Sequence, residues 1–352
     1  MSDAEWIFKA VKNIEQNGFV LAQQQQDALT KPQGSLGRLE DIAIRLSAMQ
    51  ENISPEIESI QITVFAADHG VAEEGVSAFP QAVTLEMVRN FARGGAAISV
   101  LARELEAELE VVNVGTAGEA ESMAGVLDQR IAPATQNLFR QAAMSERQLL
   151  EALAVGREAV ERALKRSAQL FIGGDMGIGN TTSATAIACA LLGEQPASLT
   201  GPGTGLGAKG VSHKVSVIAR SLQLHEDEMK SPMDVLRCVG GFEIAALTGA
   251  YIACAQKGLP VVVDGFISSV AALVAIKMNP QVIEWMFFSH VSAEPGHLII
   301  IQAMEAQPLV ALNMRLGEAS GAATVVPLMR LACALHNNMA TFEQASVSNK
   351  TG

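Results

Sequence analysis

Residues 168–182 read AQLFIGGDMGIGNTT, and this stretch decides the fold. Its first half, AQLFIGG, is an apolar run that ends in two glycines, which is typical of a buried β-strand. The residues that follow form a glycine-rich polar turn, and a helix is predicted near 182–193. A strand, a tight turn and a helix in this order are the repeating unit of parallel α/β sheets.

Similar units extend in both directions along the chain. Further strands are predicted in the apolar runs at 59–70, where the run ends in a polar turn, and at 109–115, 259–266 and 285–290. Further helices are predicted at 84–105, 145–167, 210–223, 242–257 and 321–339. Continuous apolar strands separated by helices indicate a parallel sheet that is covered on both faces. Ligands of such sheets bind beyond the carboxyl ends of the strands, so the polar turns there are the expected place for chemistry.

The first part of the chain has a different pattern. Residues 3 to about 50 are predicted to be helical, with apolar residues at helical spacing between Leu36 and Met49. Gly18 is expected to end the first helix, because glycine is common at helix C-termini. No strand pattern occurs in this part of the sequence.

The composition excludes several classes of function. The chain has 352 residues, of which 49% are hydrophobic, so it can bury a sizeable core. A net charge of −12 repels phosphate backbones, and 4% aromatic residues leave few platforms for stacking bases, so no nucleic-acid partner is expected. No apolar stretch reaches the roughly 20 residues that span a bilayer, and the N-terminus lacks a signal-peptide pattern. The four cysteines form no CxxC pair, which favours a reducing compartment, so we expect a cytoplasmic protein that acts on small molecules.

The glycine turn after the central strand has the features of a phosphate site. Glycines let a backbone approach a ligand closely, and the N-terminus of the helix that follows offers free N–H groups. The segment 174–181 nearly matches the P-loop spacing, but Asn180 stands where the lysine would be. That lysine reaches the outer phosphates of a triphosphate, so its absence favours a monophosphate over ATP. A glycine-rich connector without a ligand is the alternative.

A second glycine-rich turn, at 201–207, precedes a helix that carries Lys214. Its backbone N–H groups and the Lys214 ammonium can complete an anion site. From the residue type alone, however, a solvated surface lysine is the more common outcome.

Glu318 lies in the segment 315–323, RLGEASGAA, just before an apolar helix. The small neighbours leave room for a ligand beside the carboxylate, and burial there would raise its pKa and improve it as a general base. The alternative is a glutamate at a helix N-terminus that is favoured there by the helix dipole and has no catalytic role. On the sequence alone this alternative is the stronger one.

Two further groups of residues have both structural and functional interpretations. Asp68, His69 and His290 end predicted strands, but the histidines show no metal-ligand spacing, so we expect no metal and interpret these side chains as satisfying turns. Phe79 and Met87, around a predicted helix start, can line an apolar slot for a flat ring, although core packing is more usual for such residues.

Several longer motifs, in this order along the chain, carry a resemblance to a known family. They are KPQGSLGRLE at 31–40, DHGV at 68–71, GGDMGIGNTT at 173–182, GGFE at 240–243, DGF at 264–266, SAEPG at 292–296 and RLGEASGA at 315–322. The sequence from about 20 to 340 resembles the nicotinate-nucleotide–dimethylbenzimidazole phosphoribosyltransferases, enzymes of cobalamin lower-ligand assembly. The resemblance implies a homodimer with no cofactor, and a Rossmann-like α/β domain at 56–310 with a small helical domain formed by 1–55 and 311–352.

The resemblance also implies roles for individual residues. Glu318 is the expected general base, and Asp175 takes the place of a carboxylate beside the reacting centre, where a glutamate is commoner. The residues expected to hold the phosphoribosyl and nicotinate groups are Gly177, Asn180, Thr181, Gly203, Lys214 and Ser292, and those expected to hold the base are Phe79, Met87 and Met176. Ala319 replaces a glycine of the family pattern and adds a methyl group beside Glu318.

The reaction implied is transfer of phosphoribose from nicotinate mononucleotide to 5,6-dimethylbenzimidazole, which gives α-ribazole 5′-phosphate and nicotinate with inversion at the anomeric carbon. Three alternatives remain open from the residues: transfer to another acceptor, such as an adenine-type purine, benzimidazole or a phenol; a non-catalytic nucleotide-binding sensor; and a P-loop-type phosphotransferase.

Overall fold

A computed structural model describes residues 4–118, 122–203 and 205–348 of the chain. Within these residues six strands form one all-parallel sheet in the order β3-β2-β1-β4-β5-β6. The strands are β1 (Ile60–Ala67), β2 (Glu108–Gly115), β3 (Val126–Asp128), β4 (Leu170–Met176), β5 (Val261–Val263) and β6 (Met286–Phe288). The predicted Rossmann-like parallel sheet is thereby confirmed.

Helices flank this sheet and connect its strands. They are α1 (Gln16–Ala28), α2 (Arg38–Gln50), α3 (Ala82–Arg93), α4 (Ala97–Glu104), α5 (Glu146–Lys165), α6 (Asn180–Leu192), α7 (Pro196–Leu199), α8 (Ala208–His225), α9 (Pro232–Val239), α10 (Phe242–Lys257), α11 (Phe266–Met278), α12 (His297–Ala303) and α13 (Ser320–Asn338). Short 3₁₀ helices occupy Glu5–Phe8, Gly70–Glu74 and Pro280–Trp285. No described helix has the length and hydropathy needed to cross a membrane.

The strand order reverses between β1 and β4, because β2 and β3 lie on one side of β1 while β5 and β6 lie beyond β4. All eight residues of β1 are buried, which explains its continuous apolar pattern. Phe65 of β1 pairs with Asp175 of β4 near the carboxyl ends of both strands. A crevice at such a switch point is the usual ligand site of doubly wound sheets.

Two local predictions were wrong. The segment predicted as one helix at 84–105 is two helices, α3 and α4, because Gly94 adopts a left-handed conformation at φ +80° and ends α3. Gly18 does not end a helix but lies inside α1, where a Cβ atom would come within 3.1 Å of the Ala48 Cα. Its missing side chain therefore serves the packing of α1 against α2.

The two ends of the chain meet beside the sheet. Leu29 and Thr341 form an antiparallel bridge, and Gln26 of α1 is hydrogen bonded to His336 of α13 over 2.7 Å. The KPQGSLGRLE segment before and into α2 is closed by a buried ion pair, with Lys31 Nζ 2.8 Å from Glu40 Oε1. These contacts attach α13, which follows Glu318, to the N-terminal helices, while the predicted domain boundaries stay a prediction.

Candidate active site

A cavity of about 280 Å³ lies at the carboxyl ends of the central strands. Loops that follow β1, β4, β5 and β6 contribute to it, together with the segment before α13. Nine predicted site residues line it: Phe79, Asp175, Met176, Gly177, Asn180, Thr181, Gly203, Ser292 and Glu318. The turns that sequence patterns singled out separately therefore converge on one place.

Glu318 reaches this cavity through an unusual stretch of backbone. Glu318 and Ala319 both adopt the left-handed conformation, at φ +62° and +69°, immediately before α13 begins at Ser320. A Cβ atom at Gly174 of β4 would lie 2.8 Å from the backbone carbon of Glu318 and 2.8 Å from the Ala319 nitrogen. The absence of a side chain at Gly174 thus lets the Glu318 segment rest directly on β4.

The Glu318 carboxyl group has the properties of a general base. The residue is only 6% exposed, and Oε2 has no hydrogen-bond partner among the described residues. Burial, followed by the charge of Asp264, raises the pKa of Glu318 to about 7. A carboxyl group with a pKa near neutrality can accept a proton in one step and release it in the next.

Asp175 lies at the end of β4 rather than in the turn where the sequence pattern places it. Its Oδ1 accepts a hydrogen bond from Asn180 Nδ2 over 3.1 Å, and a Cβ atom at Gly317 would lie 3.7 Å away. Burial raises the pKa of Asp175 well above its usual value, and the nearby charges of Asp264, Glu243 and Glu318 raise it further. A positively charged ligand beside Asp175 would therefore favour its ionised form.

The glycine turn leads into the N-terminus of α6, as expected for an anion site. Gly179 adopts a left-handed conformation at φ +99°, which an L side chain seldom does, and a Cβ atom at Gly177 would overlap the carbonyl oxygen of Ala67. The backbone after β4 thus turns sharply, and Asn180 and Thr181 lie at the first positions of α6. The amides of Ile178 and Asn180 are bonded to Thr84 Oγ1 and to the Gly177 carbonyl oxygen, so the remaining amides of the turn are the candidate donors for an anion.

Lys214 is buried and not solvated, contrary to the interpretation from residue type alone. It is 1% exposed, and its Nζ donates a hydrogen bond to Thr181 Oγ1 over 2.7 Å. Burial lowers the pKa of Lys214 to about 8, while the nearby carboxylate of Glu294 opposes that shift. Lys214 thus stands behind Thr181 and adds a positive charge to this end of the cavity.

Three ionisable residues that line the cavity were not assigned to the site from the sequence, which interpreted His290 only as a residue that satisfies a turn. Glu294 and Arg315 line the cavity beside the second glycine turn, where Arg315 Nη1 lies 3.5 Å from the Gly203 carbonyl oxygen, and His290 lines it after β6. All three lie in loops after strands or before helices that the sequence motifs already marked. Their position in those loops was the signal that could have assigned them to the site. Thr204, within the same glycine turn, lies outside the described residues.

The apolar side of the cavity holds only part of the predicted base pocket. Phe79 is 50% exposed and Leu316 is 58% exposed, and both line the cavity together with Met176. Met87 does not line it, because its half-buried side chain on α3 packs against the hydrophobic core. Its role in base binding stays a prediction that the geometry does not support.

Strand-end polar residues beneath the cavity are bonded within the protein. His69 lies between Ser183 Oγ at 2.9 Å and Glu243 Oε1 at 2.7 Å, and Asp68 accepts hydrogen bonds from Thr84 and the Ala117 amide. No group of three or more potential metal ligands occurs within the part of the chain that the structure describes.

The fold and the cavity together define the general class, an α/β enzyme with its ligand site at the switch point of a Rossmann-like sheet. A family model described as phosphoribosyltransferase matches residues 11–347, which is most of the chain. The chain belongs to the family of nicotinate-nucleotide–dimethylbenzimidazole phosphoribosyltransferases.

Curated relatives and solved structures both support this assignment. A nicotinate-nucleotide–dimethylbenzimidazole phosphoribosyltransferase of Xanthomonas euvesicatoria pv. vesicatoria is 56% identical over 98% of this chain and 99% of its own length. One of Pseudomonas aeruginosa is 58% identical over 94% of each. The crystal structure of the enzyme with this name from Thermus thermophilus superposes with a TM-score of 0.90 at 42% identity, covering 96% of this chain and 100% of that one.

Proposed function

We propose that this protein transfers the phosphoribosyl group of nicotinate mononucleotide to 5,6-dimethylbenzimidazole, giving α-ribazole 5′-phosphate and nicotinate with inversion at the anomeric carbon. One observation carries this proposal: the carboxyl group of Glu318 enters the same cavity as the anion-binding end, with one oxygen that has no partner among the described residues. The names of the relatives supply the two substrates.

Donor binding is assigned to the end of the cavity near α6. The phosphate would accept hydrogen bonds from Ser292 and from the amides of the Gly177–Thr181 turn other than those of Ile178 and Asn180, which are bonded internally. The Lys214 ammonium would supply charge. Gly203 brings its backbone close to the same place, since a Cβ atom there would lie 2.9 Å from Thr181 Oγ1. The phosphate is remote from the reacting centre, and the binding energy gained there holds the anomeric carbon in place for the reaction.

In the reaction, the bond between the anomeric carbon and the pyridinium nitrogen breaks, and its electron pair neutralises the ring of the departing nicotinate. A nitrogen lone pair of the acceptor forms the new bond on the opposite face of the ribose. As this bond forms, the N–H proton of the acceptor passes to Glu318, so the positive charge that develops on the acceptor ring is neutralised in the same step. Asp175, ionised by the approach of the cationic donor, stabilises positive charge on the ribose. Charges and protons balance with no cofactor.

The flat acceptor is placed between Phe79, Met176 and Leu316, on the apolar side of the cavity. A sensor that only binds a nucleotide would have no use for a buried carboxyl group with a free oxygen, so the cavity favours catalysis. Other acceptors, such as benzimidazole, adenine-type purines or phenols, are distinguished by the assay below, because an apolar slot discriminates weakly between flat rings of similar size.

We further propose that the protein acts as a cytoplasmic homodimer. The four cysteines are buried and unpaired, as expected in a reducing compartment. Light scattering of the purified protein tests the assembly, and a particle with the mass of one chain would contradict the dimer.

The test of function combines the purified protein with nicotinate mononucleotide and a panel of acceptors. We expect nicotinate release that depends on the acceptor, with the highest kcat/KM for 5,6-dimethylbenzimidazole. Proton NMR of the isolated product should show the α anomer, and a β anomer would overturn the inversion. Binding of nicotinate mononucleotide without any nicotinate release, whichever acceptor is present, would overturn the transferase activity.

A further inference from the structure

Asp264 follows β5 directly and is fully buried behind the cavity, where the reaction scheme gives it no role. Its Oδ1 accepts a hydrogen bond from the backbone N–H of Ala322 over 2.8 Å, and the amides of Gly265 and Gly321 also bond to the carboxylate. Its other oxygen, Oδ2, has no side-chain partner among the described residues. A carboxylate held by several backbone amides is a rigid attachment between two elements.

The attachment joins β5 to the first turn of α13. Ala322 lies four residues after Glu318, and the two left-handed residues Glu318 and Ala319 stand between the cavity and this turn. Side-chain-bearing residues hold that conformation only when their surroundings fix it. Gly174 supports the segment from the side of β4, and Asp264 anchors the helix into which it leads.

Gly321 shows how closely these parts fit. A Cβ atom there would overlap the ring of His290 and would lie 2.9 Å from Asp264 Oδ1. His290, in turn, is hydrogen bonded through Nδ1 to Ser289 Oγ over 2.9 Å. The start of α13 therefore fits against the ends of β5 and β6 with no space for a side chain between them.

We propose that Asp264 is a positioning residue for the general base: its carboxylate fixes the start of α13 and thereby aims Glu318 into the cavity. The inference rests on the proposed function, because it assigns Asp264 to the group that takes the proton. Asp264 acts through Glu318, and it is not assigned a contact with either substrate.

The charge of Asp264 gives this role a measurable signature. Burial raises the pKa of Glu318 first, and the charge of Asp264 raises it further. Other titratable or charged groups around the cavity are Asp175 at the end of β4, His290 after β6, Glu294 in the same loop, Arg315 three residues before Glu318, and Lys214 behind Thr181. Burial raises the pKa of Asp264 itself, while the charge of His290 and the backbone amides oppose that shift.

Two substitutions separate position from charge. Asp264→Asn keeps an oxygen that can accept from Ala322 but removes the charge, whereas Asp264→Ala removes both. We expect Asp264→Ala to lower kcat by about tenfold or more with KM for nicotinate mononucleotide changed by less than about threefold. We expect Asp264→Asn to retain more of kcat and to shift the acid limb of the pH–kcat profile to lower pH.

Glu110→Gln is the matched control, since Glu110 is a buried carboxylate on β2 that pairs with Arg162 far from these strand ends. Its kinetic constants and acid limb should match those of the wild type. The pKa of Glu318, followed by NMR of ¹³C-labelled glutamate carboxyl groups, should fall in Asp264→Asn and stay unchanged in the control.

A kcat within about twofold of wild type in folded Asp264→Ala would overturn the positioning role, and an unchanged Glu318 pKa in folded Asp264→Asn would overturn the charge effect assigned to Asp264. Folding is checked by circular dichroism and the Tm of each variant. Absence of transfer by the wild type would overturn the proposed function instead. The NMR titration would still show whether the charge of Asp264 raises the pKa of Glu318.

Discussion

The ammonium group of Lys214 on α8 donates a hydrogen bond to Oγ1 of Thr181 on α6 over 2.7 Å, in a place where the lysine is 1% exposed. This contact joins the helices that follow the two glycine-rich turns. Each turn alone is a weak indication of an anion site, but a buried cation between them gives the site local positive charge in an otherwise acidic protein, in addition to Arg315 beside the second turn.

Lys214→Met should therefore weaken donor binding more than turnover. A hydrogen bond to a charged group contributes about 1.5–3 kcal/mol, so KM for nicotinate mononucleotide should rise by about ten- to a hundredfold. Steady-state kinetics with the acceptor saturating measure this change. Lys209→Met, which removes an exposed lysine of the same helix, is the control, and an equal effect of both substitutions would contradict the site.

The affinity for the donor should also fall at alkaline pH. Because burial lowers the pKa of Lys214 to about 8, the free protein loses this charge as the pH rises through 8, and binding should weaken. Calorimetric titration of nicotinate mononucleotide between about pH 7 and 9.5 tests this. In Lys214→Arg, the guanidinium stays charged, so an identical alkaline loss of affinity would assign the effect to another group.

Turnover should fall on the acid side for a different reason. Glu318 accepts a proton only when it is ionised, and its pKa of about 7 means that the base form is lost as the pH falls below 7. The log of kcat should decline with a slope of about one below that pH. A profile that is flat from about pH 5 to 8 would contradict an ionised Glu318 as the base.

Gly174→Ala tests the contact between β4 and the Glu318 segment. The added methyl group would lie 2.8 Å from backbone atoms of Glu318 and Ala319, which cannot move as a flexible side chain would. Overpacking of this kind costs about 1–3 kcal/mol, so Tm should fall, and kcat should fall with it as Glu318 is displaced. Gly207→Ala, where a Cβ atom meets nothing within 4 Å, should leave Tm close to wild type.

Much of this arrangement follows from the sequence. Burial on both faces makes the strands continuous apolar runs, so the parallel sheet and its polar turns were predictable. The break at Gly94 was not, because a glycine inside an apolar helical pattern is usually tolerated, and only the structure shows its positive φ.

The site shows the same division between local and long-range information. The burial of Lys214 depends on Thr181, 33 residues earlier, and residue type alone favours a surface lysine. Asp264 and Ala322 are 58 residues apart, so no local pattern connects them. Met87 had a helical position compatible with either a pocket or the core, and only packing directs it to the core.

The central claim concerns the Glu318 carboxyl group, and Glu318→Gln tests it most directly. Single-turnover release of nicotinate should slow by about 10²–10⁴-fold, while the Kd for nicotinate mononucleotide stays close to wild type. Glu343, an exposed glutamate after α13, supplies the control, and Glu343→Gln should retain full turnover. Nicotinate release at a near-wild-type rate in folded Glu318→Gln would contradict the account.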